Sequence, residues 1–91
     1  MVRILQTPTF KRAVKRLHKQ QKQKLDEAVR AVAEDPTIGG GKVGDLAGVR
    51  VHKFKMNRQL ILLAYEFFEA DDVVKLLTLG GHENFYRDLK R

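Results

Sequence analysis

The sequence has no cysteine and no tryptophan, only two prolines, and no acidic residue among its first 25 positions. Without thiols there are no disulfides, no thiolate nucleophile and no thiolate zinc site. The histidines at 18, 52 and 82 are too widely spaced for a metal motif, so no metal and no other cofactor is expected. The longest apolar run, "LILLAY" from Leu60, is far too short to cross a bilayer. No signal peptide precedes the charged start, and a cytoplasmic chain without membrane contact is expected. Asp45, Asp71 and Asp72 form no carboxylate constellation of the two-metal nuclease kind.

What is present is a short chain with the apolar content of a folded protein. Its 91 residues are 43% hydrophobic and 8% aromatic, enough for one small core, so a single domain over 1–91 is expected. The net charge is +7, and eight Lys or Arg fall within residues 1–25. Such a field attracts polyanions, either nucleic acid or an acidic protein.

The pattern of residues predicts an α+β order. "VRILQT" reads as a strand, and Thr7 with Pro8 marks a helix start, a capping hydroxyl followed by the residue suited to the first helical position. Phe10, Ala13, Val14 and Leu17 repeat at helical spacing, as do Leu25, Ala28, Val29 and Val32. The polar stretch "HKQQKQK" between them predicts a reversal near Lys19 and a helical hairpin, with a single bent helix as the alternative. Pro36 closes the helical region. "TIGGGKVGDLAG" holds five of the seven glycines but lacks the Gly-Lys-Ser/Thr ending of a phosphate loop, and reads as a connector. Three β-like runs follow, from Val49, Gln59 and Val73, joined by "MNR" and "EADD" as an antiparallel meander. The middle run is apolar on both parities, as in a central strand covered on both sides. A short helix carrying Phe85, Tyr86 and Leu89 is expected after Gly80 and Gly81. The helical hairpin is expected on one sheet face, with the other face open.

Alternation in "VRVHKFK" puts Val51, Lys53 and Lys55 on one side and Arg50, His52 and Phe54 on the other. Phe54 is expected to face the helices, which turns the lysines outward, with Arg58 in the following turn. Cations fixed on a rigid sheet can hold a phosphodiester and neutralise the charge that develops as it is cleaved; a solvated strand face is the plain alternative. His82 either caps a helix start or, beside two glycines that admit close backbone approach, exchanges a proton near neutral pH. Tyr86 stands one helical turn from His82 and is either half-buried or placed to stack on a base. His18 lies among lysines and is expected in solvent.

With these pieces assembled, the chain resembles the RelE/ParE superfamily of bacterial toxin-antitoxin toxins over essentially its whole length. The resemblance is strongest in "DLAGVRVHKFKMNRQLILLAYEFF" and "LLTLGGHENFYRDLKR". It is closest to the RelE and YafQ branches, whose toxins cut messenger RNA in the ribosomal A site and are neutralised by an antitoxin. The resemblance implies a RelE-like fold and a metal-independent endoribonuclease. Its partners would be the ribosome with mRNA in the A site and a cognate acidic antitoxin. It places Lys53 and Lys55 on the family's two catalytic-site lysines, His82 on its catalytic arginine or histidine, and Tyr86 on its C-terminal aromatic. The arginine of the second RelE strand falls on Leu62, so Arg58 would take that role from the turn. Met56 and Asn57 stand where YafQ-like toxins carry an acid and a histidine. Arg50, His52 and Arg87 are expected as further RNA contacts. A second branch of similar fold poisons DNA gyrase without a nuclease site, and "GGHENFY" argues against it.

Overall fold

The structure, a computed structural model, describes residues 2–41 and 48–81. The expected C-terminal helix, with His82, Tyr86 and Arg87, lies outside the described residues, as does Asp45.

Strand β1 spans Arg3–Gln6 and hands over at Thr7 to helix α1, Pro8–Lys15. The Thr7 hydroxyl accepts from the Phe10 N–H at 3.1 Å and donates to the Leu77 carbonyl at 2.6 Å, so one side chain both caps the helix and ties it to a distant strand. Helix α2, Lys19–Glu34, begins after a break at Arg16–His18, slightly earlier than the polar stretch suggests. Its first turn is tied by the Gln21 side chain, which accepts from the His18 N–H at 3.0 Å. Next come a two-residue strand β2, Gly40–Gly41, then β3, Val49–Met56, and β4, Gln59–Phe68. A turn of 3-10 helix, Glu69–Asp71, leads into β5, Val73–Gly81.

The five strands form one sheet in the order β1-β5-β4-β3-β2. The meander β3-β4-β5 is antiparallel as the turn signals predict, and β4 lies between its two partners. Two features lie beyond the expected pattern. The first strand pairs in parallel with β5, Arg3 opposite Val73 through Gln6 opposite Leu76. The glycine-rich connector contributes a strand, with Gly40 opposite Val51 and Gly41 opposite Arg50. Gly80 and Gly81 are also strand residues, opposite Leu62 and Ile61.

Both helices pack on one sheet face. Phe10, Leu25, Ala28 and Val32 meet Met56, Ile61, Leu63, Tyr65, Val74 and Leu76 in the main core. Fully burying one such large apolar side chain stabilises the fold by about 1.5–3 kcal/mol. The other face is not the bare surface expected from sequence. It carries a second cluster of Val51, Leu62 and Ala64, with Val49 and Leu77 packed against it, and Leu62 has no solvent exposure. The physical reason is the two-sided apolar character of β4, which must bury Leu62 and Ala64 as well as Ile61 and Leu63.

Candidate functional site

Strand β3 sorts its side chains as the alternation predicts. His52 and Phe54 turn toward the helices, where Phe54 packs on the main core, while Lys53 and Lys55 are exposed on the side of the second cluster. Lys53 stands opposite Leu62, which stands opposite Gly80. The row is therefore a cation, a buried leucine and a position without a side chain. A Cβ placed on Gly80 would meet nothing within 4 Å among the described residues, so packing by those residues does not require glycine at this half-buried position, two strands from the lysine. Lys55 stands opposite Leu60, itself 42% exposed.

Between β3 and β4 the chain reverses in two residues, Asn57 and Arg58, with φ of 52° and 70°. Positive φ at both central positions is the type I′ hairpin turn, whose twist matches the strands it joins. Asparagine tolerates that conformation; a long side chain such as arginine adopts it at a cost of about 1–2 kcal/mol relative to glycine. The arginine is thus held at an exposed corner of the hairpin that carries both lysines. Among the described residues, the side chains of Lys53, Lys55 and Arg58 make no hydrogen bond or ion pair. Three cations on one rigid hairpin, without side-chain partners among the described residues, can bind a phosphate backbone or stabilise a phosphorane-like transition state.

Arg50 and His52 are not brought to this group. Arg50 stands opposite Tyr65, and its guanidinium donates to the Gly39 carbonyl at 2.9 Å and to the Thr37 carbonyl at 3.4 Å. The Tyr65 hydroxyl completes the arrangement: it donates to the Pro36 carbonyl at 2.7 Å and accepts from the buried Gly39 N–H at 2.9 Å. Burial pushes the Tyr65 phenol up from its ordinary range, partly offset by the Gly39 N–H. At the mouth of the same loop the Asp35 carboxylate accepts from the Thr37 hydroxyl and N–H, which hold its pKa down. This clamp on residues 36–39 was not legible as a motif. Its available signal was Tyr65 itself, a phenol inside an apolar run, which needs a hydrogen-bond partner when buried. His52 lies flat against Phe54, ring centroids 6.2 Å apart, and burial lowers its imidazole pKa.

His18 is exposed, as expected. Among the described residues no group of three His, Asp or Glu is placed to hold a metal, and no helix is long and apolar enough to cross a membrane. The described part of the arrangement is therefore a strand-and-turn cation group joined to a β5 end that leads to His82.

Comparison with known proteins bears directly on that arrangement. The family described as "ParE-like toxin of type II bacterial toxin-antitoxin system" matches residues 4–90. The chain belongs to this toxin family. It is a type II toxin-antitoxin toxin of the RelE/ParE superfamily. Solved structures agree on the fold. The isolated RelE toxin of Escherichia coli superposes with a TM-score of 0.71 at 18% identity, covering 100% of this chain and 98% of that one. The toxin-antitoxin complex RelBE of the same organism gives 0.73 at 18% identity, with 91% and 99% covered. RelBE2 from Mycobacterium tuberculosis gives 0.70 at 17% identity, with 89% and 98% covered. No curated protein matches the chain.

Proposed function

We propose that this toxin is a ribosome-dependent endoribonuclease that cuts messenger RNA in the A site and so inhibits translation. The observation that carries the reading is the hairpin cation group, in which Lys53, Lys55 and Arg58 stand exposed and without side-chain partners among the described residues. The ribose 2′-hydroxyl acts as the internal nucleophile: it gives its proton to solvent and bonds to the adjacent phosphorus as the bond from phosphorus to the 5′-oxygen breaks. The three cations bind the scissile phosphate and neutralise the charge gathering on it in the transition state. His82, next in the chain after β5, protonates the departing 5′-oxygen, and Tyr86 orients the nucleotide. Arg50, His52 and Arg87 are secondary: Arg50 through the loop it holds, His52 through its packing under the lysine strand, and Arg87 through the RNA backbone. The whole chemistry is assigned to side chains.

The toxin acts in the cytoplasm and is held by a cognate acidic antitoxin. Two of the superposed structures are toxin-antitoxin complexes, and a net charge of +7 suits an acidic partner. One observation favours a second reading: the matching family is described as ParE-like, the branch of the superfamily in which a gyrase-directed, non-enzymatic toxin is expected. Primer extension on a translated message, with purified toxin, separates the two. Discrete stops that require ribosomes support the nuclease. An intact message together with broken chromosomal DNA in arrested cells would establish the gyrase-directed reading instead.

A further inference from the structure

The tip of the hairpin carries one apolar residue that the cation group leaves unexplained. Leu60 is the second residue of β4, and it is 42% exposed. It is part of neither apolar cluster. Lys55 stands directly opposite on β3, and Arg58 lies two residues back in the turn. Alternation along β4 puts Leu60 on the side of Leu62, the side on which Lys53 and Lys55 also stand. Leaving such a side chain in water forgoes up to about 1.5–3 kcal/mol that burial would supply. Three other large apolar residues are comparably exposed among those described. Phe68 closes β4 at the end away from the tip, Leu5 lies in β1 and Ile38 in the clamped 36–39 loop, so Leu60 is the member of this set that stands beside the three cations.

A cation beside an exposed apolar group matches the two halves of a nucleotide. Directly opposed strand side chains stand about 4.5–5.5 Å apart at Cβ, the scale that separates a phosphate from the base on the same ribose. A base offers a flat face that binds through contact area rather than through hydrogen bonds. A protein partner needs a charge-depleted apolar centre to its interface, and Leu60 is flanked by cations instead. The plain alternative is that Leu60 only packs along the aliphatic stem of Lys55, as cross-strand pairs do. The two roles respond in opposite ways to a larger, flatter side chain, which improves a contact with a base and does nothing for the strand pair.

We propose that Leu60 is a substrate-binding residue of the hairpin site, whose side chain takes the face of a base flanking the phosphate held by Lys53, Lys55 and Arg58. The inference rests on the ribonuclease reading above and adds to it a contact without charge. Leucine offers neither donor nor acceptor, so it seats the base without reading which base it is. Unlike the contacts of the three cations, this one is insensitive to salt.

The test is binding of the purified, labelled toxin to ribosomes programmed with a message whose A-site codon carries 2′-deoxyribose, followed by fluorescence anisotropy. Such a message lacks the internal nucleophile, so binding is read without cleavage. Leu60→Thr keeps a strand-favouring side chain and removes most of the apolar contact, and should weaken binding about three- to tenfold. Leu60→Tyr adds a ring that stacks on the base and should tighten binding by at least about threefold. Both should melt close to the native temperature, since the position is exposed. Phe68→Thr makes the same kind of change at the far end of β4 and should bind within about twofold of native. The gain of Leu60→Tyr should vanish on ribosomes with an empty A site, where no base is offered. Native binding by Leu60→Thr, weaker binding by Leu60→Tyr, an equal loss in Phe68→Thr, or a gain that persists with the A site empty would each overturn the proposal. If Leu60→Thr fails to fold, Leu60→Tyr decides alone, and anything short of tighter binding overturns it. Substitutions that change nothing, in a toxin that still gives ribosome-dependent stops in primer extension, would remove this contact and leave the ribonuclease reading intact. A native toxin that gives no such stops would overturn that reading and this one with it.

Discussion

Arg50, near the start of β3, donates to the Gly39 carbonyl at 2.9 Å, whereas the side chain of Arg58, in the turn that ends the strand, makes no hydrogen bond or ion pair among the described residues. The same side chain serves two ends of one hairpin in opposite ways, and the cross-strand neighbour decides which. Arg50 faces Tyr65, a buried phenol that already organises residues 36–39, so its guanidinium completes a polar clamp over a closed core. Arg58 faces no strand residue; it occupies a strained position at the tip. One end of the hairpin is thus fixed to the body of the protein, and the other presents charge on that fixed support.

The largest effect is expected at the presenting end. Replacing Lys53 and Lys55 together with Ala should lower cleavage of translated message by at least about 10²–10³, the loss usual for a transition-state charge stabiliser. The melting temperature should hardly move, because exposed truncations of this kind stay within about 0.5 kcal/mol. Wild-type growth arrest by the double variant at equal abundance would place the active face elsewhere. His82→Gln keeps a hydrogen-bonding side chain without a titratable proton, and should slow single-turnover cleavage by about 10²–10⁴ while ribosome binding persists. Cleavage near the native rate would make His82 a structural residue.

At the fixed end the expected effects are on stability. Tyr65→Phe leaves the buried Gly39 N–H without its partner and should cost about 1–3 kcal/mol by chemical denaturation. Gly39→Ala should cost a similar amount, about 1–3 kcal/mol of overpacking. Its Cβ would fall 2.6 Å from the Tyr65 hydroxyl, which the closed core prevents from moving away. Arg50→Gln combined with Tyr65→Phe should be non-additive by about 0.5 kcal/mol or more, since both residues hold one loop; strict additivity would break the clamp into two unrelated interactions.

Arg58→Gly sets the two ends against each other within one residue. Relief of the left-handed backbone, less the added freedom of the unfolded chain, should raise stability by about 0.5–1 kcal/mol. Cleavage should fall in the same protein. A variant that is more stable and equally active would show that the arginine is only tolerated in the turn.

Which end was legible before the structure follows from the range of the interactions. The alternation of Lys53, Lys55, His52 and Phe54, the turn expected at "MNR" and the Thr7 cap all depend on neighbours within a few residues, and each stands where the pattern puts it, except that Met56 closes β3 and leaves Asn57 and Arg58 as the turn. The parallel pairing of β1 with β5 joins residues some seventy positions apart, Arg3 to Val73, and no local signal specifies it. The clamp is hidden for a related reason: Arg50 and Tyr65 bind backbone carbonyls and an N–H of the 36–39 loop, groups that every residue possesses and that no sequence pattern marks. The covered second face follows from Leu62 and Ala64, and the two-sided apolar character of β4 already carried it, against the expectation of an open surface.

The smallest effect concerns His52, which sits between the two ends and is tied to neither. Desolvation against Phe54 and the helix side is the sole cause of its lowered pKa, so the folded protein disfavours the imidazolium while the unfolded chain accepts it at the ordinary value near 6.5. Protons therefore bind the unfolded state more readily. The stability contributed by neutral His52 is fully present above about pH 6.5 and is lost as pH falls through that value toward the folded-state pKa. For one half-buried group the slope must stay below about 1.4 kcal/mol per pH unit. The measurement is the difference in unfolding free energy between native protein and His52→Gln, followed from pH 7.5 to 5. The native protein should lose stability relative to the variant across that range, because the substituted amide has no proton to gain or lose there. A flat difference would mean that the imidazole is solvated in the folded state, and that the strand beneath the lysines is less closely packed on the helices than its stacking with Phe54 implies.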